Sequence, residues 1–187
     1  MAIKITFRNT TRLSIRITSR NDIHVSAPYH TPKQTILDFI KKNENWIQKA
    51  LENNAAVQKK RLAFFEQLPL DTREQRRNVT LKMNEIIPPL IEKYSKLMNV
   101  QPSTITYKAT ISKWGSCQTK TRRISFSVYL LLLPLHCIEH VVVHELAHLI
   151  VPNHSADFYA VMDRYFPNWK IAREETKRIC QMEDSEE

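Results

Sequence analysis

The sequence predicts an α+β fold, and three observations carry that prediction. The first 27 residues alternate apolar and polar side chains in the period-2 manner of half-buried strands. Most of the remainder carries apolar residues at 3- and 4-residue spacings, with sequence signatures of helix starts. A single glycine in 187 residues leaves few tight left-handed turns, which favours helices, and nine prolines do most of the punctuation. That length supports one good-sized core with a small appended lobe.

In chain order, residues 3–8, 12–18 and 23–27 align Ile3, Ile5 and Phe7, then Leu13, Ile15 and Ile17, then Ile23 and Val25. Asn9-Thr10-Thr11 and Ser19-Arg20-Asn21-Asp22 are turn-like, so a small antiparallel meander is expected, ended by Pro28. Thr31-Pro32-Lys33-Gln34 reads as a capping box. It would open a helix to about Asn53 on Ile36, Phe39, Ile40, Ile47, Ala50 and Leu51, with Trp46 beside that stripe. Residues 54–70 read as a basic connector carrying the apolar anchor Leu62-Ala63-Phe64-Phe65. Residues 1–70 thus make an N-terminal strand-and-helix portion, and 71–187 a second region integrated with it in one globular unit.

Asp71-Thr72-Arg73-Glu74 is a second capping box, opening a helical stretch to about Met98 that Pro88-Pro89 must kink or split. Strands follow at Ile105 and Tyr107 and over 124–130, with Lys113-Trp114-Gly115-Ser116-Cys117 between them. Pro134 can open the next helix, whose apolar surface is Leu135, Ile138, Val141, Val142, Leu146 and Leu149. Pro152 disfavours helical geometry at Val151, so that helix ends there and the chain turns. A further helix has Phe158, Val161, Met162 and Tyr165 on its apolar side. Trp169 starts a last amphipathic segment before an acidic tail over 183–187.

The chemistry concentrates in His144-Glu145-Leu146-Ala147-His148 and the following Leu149-Ile150-Val151-Pro152-Asn153-His154. Two histidines four apart on a helix project from one face and can hold the same metal ion. Glu145 lies near that ion, placed to act as general base. His154, six residues past His148, could complete a three-ligand zinc site with one position open for chemistry. The ligand spacing matches HExxHxxGxxH, but the glycine position is Val151. A β-branched residue resists positive φ, so the turn must be of another kind, set by Pro152-Asn153, and a true metzincin is not expected.

Composition is that of an ordinary globular chain with a net charge of +9. Its basic residues cluster at Lys59-Lys60-Arg61, at Arg73 with Arg76-Arg77, and over 113–123, a distribution that can attract nucleic acid, nucleotides or acidic proteins. The N-terminus has no apolar core of a secretory signal, and the longest apolar run, over 128–135, is too short to span a bilayer. Cys117, Cys137 and Cys180 are odd in number and scattered, against a disulfide framework. A cytoplasmic location without membrane contact is expected.

The chain resembles the YgjP-like zinc metallohydrolase family, also called the YgjP-like metallopeptidase domain. The resemblance rests on Trp114-Gly115-Ser116-Cys117, on Ile138-Glu139-His140-Val141-Val142-Val143-His144-Glu145-Leu146-Ala147-His148, and on Pro152-Asn153-His154-Ser155-Ala156-Asp157-Phe158. It spans nearly the whole length. It implies a zincin-like catalytic part related to SprT-type proteases, with Zn2+, one per chain, on His144, His148 and His154.

A purely structural zinc would want a fourth protein ligand; Asp157, Glu174 and Cys117 are candidates, none with a motif reason. Glu174 is also the alternative third ligand should His154 turn away. His140, one turn before His144, reads as a supporting or surface group, and His136, His24 and His30 as surface residues. Gly115 marks a backbone position needing positive φ or a close approach. Trp114, Gly115, Ser116, Lys113, Arg122 and Arg123 are candidate substrate-binding residues; Trp114 fits a core or cleft wall equally well, and Cys117 fits a small buried side chain.

Three functions follow. A metallopeptidase would bind an extended peptide along the strand near Gly115 and Ser116. A nucleoside triphosphate pyrophosphohydrolase would use the same site, with Lys113, Lys120, Arg122 or Arg123 neutralising phosphate. A basic nucleic-acid-binding module would use the metal structurally. A protease recruited to DNA would combine the first and last.

Overall fold

The computed structural model describes residues 3–18 and 21–180; the acidic tail over 183–187 lies outside the described residues, as do two of the four turn residues at 19–22. The chain divides into two compact units between Leu62 and Ala63.

The first unit contains β1 (Ile3–Arg8), β2 (Ser14–Ile17), β3 (Ile23–Pro28), α1 (Lys33–Lys42) and the greater part of α2 (Glu44–Glu66). The expected meander is instead a mixed sheet of order β1-β3-β2, with β3 antiparallel to β2 and parallel to β1. Alternation assigns faces to a strand but names no neighbour. Ile23, Val25 and Ala27 are all buried, so β3 takes the centre, where Ile36 and Ile47 cover it.

Thr31 does not cap α1: its hydroxyl donates to the Pro28 carbonyl at 2.8 Å, and the helix starts after Pro32 without a side-chain cap. The single helix expected to about Asn53 is interrupted at Asn43, whose Nδ2 donates to the Phe39 carbonyl at 2.7 Å. The expected connector over 54–70 is helical to Glu66, because its Ala, Gln, Lys, Arg and Leu residues are good helix formers without a breaker. Of its apolar anchor, Leu62 is exposed, whereas Phe64 and Phe65 are buried in the second unit's core.

The second unit holds α3 (Arg73–Met98), β4 (Thr104–Lys108), β5 (Gly115–Gln118), β6 (Arg123–Ser127), a 3₁₀ turn (Val128–Leu132), α4 (Leu135–Ala147), α5 (Ala156–Tyr165) and α6 (Trp169–Cys180). The capping box of α3 sits one residue later than expected. Thr72 Oγ1 accepts from the Gln75 N–H at 3.1 Å, and Gln75 Oε1 accepts from the Thr72 N–H at 2.9 Å. Pro88 and Pro89 do not split α3. Both prolines are exposed, as are Asn84 and Glu85, so the carbonyls that lose an N–H partner face water, while Met83, Ile87, Tyr94 and Met98 bury the opposite face.

The sheet has the order β4-β6-β5, parallel on one side of β6 and antiparallel on the other. The strand expected over 124–130 ends at Ser127, where the chain enters the 3₁₀ turn. Ile124 and Phe126 of the central strand are fully inaccessible and pack in one core with Met83, Ile87, Leu130, Val142, Leu146, Phe158 and Met162. Each such side chain contributes about 1.5–3 kcal/mol by burial. Leu135, assigned to the apolar face of α4 from its spacing, is 59% exposed, whereas Cys137 and Ile138 of the same turn are buried in that core. Conversely His140 is buried, and that burial, with a smaller contribution from Arg173, pushes its imidazole down to about 4.

Two outcomes are expected. Phe126→Ala should lower unfolding free energy by about 3–5 kcal/mol in urea titration, by loss of transfer energy plus a cavity. His140 has a folded pKa below its unfolded one, so its contribution is present above pH ~6.5 and lost as pH falls towards 4. In the presence of chelator, wild type should therefore lose about 3 kcal/mol more over that window than His140→Gln, read from paired denaturation curves.

Candidate active site

The site is built on α4, whose consecutive Val141, Val142 and Val143 are poor helix formers held helical by burial. His144 and His148 stand one turn apart at its C-terminal end. Beyond them the N–H groups of Ile150 and Val151 both reach the Ala147 carbonyl at 2.9 Å, and Pro152 with Asn153 then carries the chain back. Among the described residues, positive φ occurs at Asn21, His30, Asn99 and Arg122, so this turn needs none.

The turn delivers His154. Its Nε2 lies 3.1 Å from His144 Nε2, which is 3.2 Å from His148 Nε2. All three ligand atoms lie within 4.8 Å of one another. Nitrogens at zinc bonding distance in tetrahedral geometry stand about 3.3 Å apart, so the two separations from His144 fit zinc with shifts of a few tenths of an ångström. Burial first, then His148, His140, His154 and Arg173, pushes His144 down to about 2, which keeps it in the neutral, metal-binding form. His148 Nδ1 lies 3.4 Å from the Val151 carbonyl; a proton there leaves the Nε2 lone pair facing the other imidazoles.

Phe158 forms the platform under the cluster. Its ring centroid is 4.9 Å from that of His144, 4.7 Å from His148 and 4.8 Å from His154, and it is fully buried. Sequence periodicity places Phe158 on the apolar side of α5 but does not reveal this role; its position four residues after His154, in the first turn of α5, is the available signal.

Glu145 is buried and meets the backbone of β5. A Cβ at residue 115 would stand 2.6 Å from Glu145 Cγ and 2.7 Å from Cδ, distances no side chain tolerates. Gly115 has no positive φ, so close approach is what requires it. Two residues along the strand, burial and then the charge of Glu145 push the Cys117 thiol up to about 11, leaving it neutral and a poor ligand at pH 7.

The other candidates are placed as follows. Trp114 is half-buried against Phe64 and Phe65, at centroid distances of 6.4 and 5.9 Å, as a core wall. Ser116 pairs across from Ser125 on β6. Lys113 and Arg123 are exposed. Arg122 donates through Nε to the Gln101 carbonyl at 2.8 Å and borders a cavity of about 760 Å³ between α3 and β4 that shares no lining residue with the three histidines. Asp157 is exposed, and Glu174, 71% exposed, pairs with Lys177 at 3.1 Å. His136 is exposed, as expected of a surface residue, and pairs with Glu175 at 2.8 Å.

No helix among the described residues is long and apolar enough to cross a membrane. No curated protein matches the chain. Among solved structures, the crystal structure of the metallopeptidase zymogen of Pyrococcus abyssi abylysin is similar at a TM-score of 0.47 and 20% identity, over 51% of this chain and 95% of that one. That likeness is too slight to carry an argument. The model of one protein family matches residues 11–81 and 72–179, which is most of the sequence and includes Gly115, Glu145 and all three clustered histidines. On that match the chain belongs to the YgjP-like, metallopeptidase domain family.

Proposed function

We propose that the protein is a zinc-dependent metallopeptidase in which His144, His148 and His154 hold one Zn2+ and Glu145 is the general base. The observation that carries this reading is the convergence of three imidazole nitrogens at 3.1 and 3.2 Å beside a buried glutamate on the same helix. The bound zinc would supply Lewis-acid polarisation of the scissile carbonyl and a lowered pKa for the attacking water.

The chain's own residues do the rest. Glu145 accepts the proton of the attacking water and passes it to the departing amine. Its carboxylate is confined between α4 and the Gly115 backbone, so little reorientation is needed at the moment of transfer. β5 pairs with β6 on one side and is an edge of its sheet, so an extended peptide can add along the other side by main-chain hydrogen bonds. The substrate is then read chiefly through backbone, with its scissile bond brought past Gly115 towards Glu145. The basic groups that a triphosphate would need are dispersed: Arg122 is turned to Gln101, and the Arg123 backbone is engaged in the sheet opposite Thr104 and Gln118.

Three variants test the assignment by elemental mass spectrometry and turnover of an unstructured protein such as casein. Glu145→Gln should keep one zinc per chain and lose roughly 10²–10⁴-fold in kcat. His154→Ala should lose the zinc; unchanged zinc content would mean that another residue is the third ligand. Gly115→Ala should keep zinc yet lose about 10²-fold in kcat, because the new methyl group displaces the general base. Activity that survives both Glu145→Gln and chelation would end the proposal.

A further inference from the structure

A second group of metal-ligating side chains lies at the opposite end of α4 from His148. His136 Nε2 is 2.8 Å from Glu175 Oε2 on α6, and Cys137 Sγ is 3.4 Å from the same His136 Nε2. The three ligand atoms all lie within 4.8 Å of one another. His136 and Cys137 precede His144 by seven or eight residues, about 11 Å along the helix axis, so this group is separate from the catalytic histidines.

We propose that His136, Cys137 and Glu175 form a second, thiolate-containing site for a thiophilic divalent cation such as zinc, clamping α6 to the first turn of α4. Zinc at its usual bond lengths holds tetrahedral sulfur, nitrogen and oxygen ligands about 3.3–3.6 Å apart. The sulfur–nitrogen distance already matches that range. The nitrogen–oxygen distance opens by a small rotation of Glu175, whose other oxygen is engaged only loosely, by Arg178 at 3.6 Å. The site is half-built into the protein: Cys137 is fully buried, whereas the His136 and Glu175 side chains are 47% and 29% exposed. A cation therefore enters from solvent, meets a preplaced sulfur and keeps water as its fourth ligand.

In the metal-free state each atom has an ordinary partner. The imidazole pairs with Glu175, and the Cys137 thiol donates to the Ala172 carbonyl at 3.5 Å. Binding replaces both: the thiol proton leaves to solvent, the sulfur–metal bond forms, and neutral His136 carries its remaining proton on Nδ1. No electron is transferred. Burial holds the Cys137 thiol up, with Thr176 pulling it down and Glu175 adding to the rise, so the thiolate forms only as the metal displaces its proton. Thiolate, imidazole and carboxylate together select zinc or cadmium over magnesium or calcium.

Cadmium titration of the full chain separates this site from the three histidines, which give no thiolate-to-cadmium charge-transfer band in the ultraviolet, and Cys137→Ser separates it from the thiols of Cys117 and Cys180. The expected result is a band saturating at one equivalent per chain, displaced by added zinc and undiminished in His154→Ala. The band should vanish in Cys137→Ser, and apparent affinity should fall roughly tenfold or more in His136→Ala and in Glu175→Gln. The last two variants alter partly exposed side chains and decide the matter even if Cys137→Ser does not fold. No band in wild type, a band that survives Cys137→Ser, or unchanged affinity in both surface variants would overturn the proposal.

Discussion

The active-site geometry depends on how closely α4 approaches β5. At Gly115 the carboxylate-bearing side chain of Glu145 occupies the space where any other residue would carry its Cβ, with Cγ and Cδ under 3 Å from that point. A buried carboxylate costs several kcal/mol wherever its charge is not compensated, and Glu145 is buried at this contact. The same approach seats Val141, Val142, Val143, Leu146 and Ala147 in the core, and that burial keeps a run of β-branched residues helical. The position of Glu145 and the stability of the helix that carries it therefore share one cause.

The three imidazoles are arranged by a rigid helix, a short turn and one aromatic side chain. α4 places two of them by its pitch alone. The third is returned by the Pro152-Asn153 turn and held against Phe158, itself fixed in the core by α5. Each imidazole centroid lies 4.7–4.9 Å from that of the phenyl group, and the Val151 carbonyl orients His148, so the donor atoms converge with little left for a cation to organise. Preorganisation of this kind favours metal affinity, because less side-chain freedom is lost on binding.

Charge is distributed differently from what a reading of clusters suggests. Residues 113–123 are strongly basic and precede α4 in sequence, yet they lie mostly in the connections flanking β5 and β6 and reach different surroundings. Arg122 adopts positive φ, donates to Gln101 and borders a cavity beside α3, whereas Lys113 is exposed to solvent. Proximity in sequence is a poor guide to proximity in space wherever the chain forms tight strand connections.

Local chemistry was legible in the sequence, because it depends on spacing along one element. The 3.6-residue repeat of α4, the HExxH pair on one face, the need for a turn at Pro152 and a sequence motif for the family all follow from residues close together in the chain. What depends on contacts between distant residues was not legible. Alternation in the first strands could not say that β3 lies between β1 and β2, and a pair of prolines could not reveal that exposure of Asn84 and Glu85 would let α3 continue. A lone glycine could mean either positive φ or close approach, and only the packing of Glu145 on β5 decided for the latter. Phe158 beneath the histidines and the pairing of His136 with Glu175 were likewise invisible. The physical reason is that spacing fixes which face a side chain occupies, whereas its neighbours on that face are chosen by the burial of the whole chain.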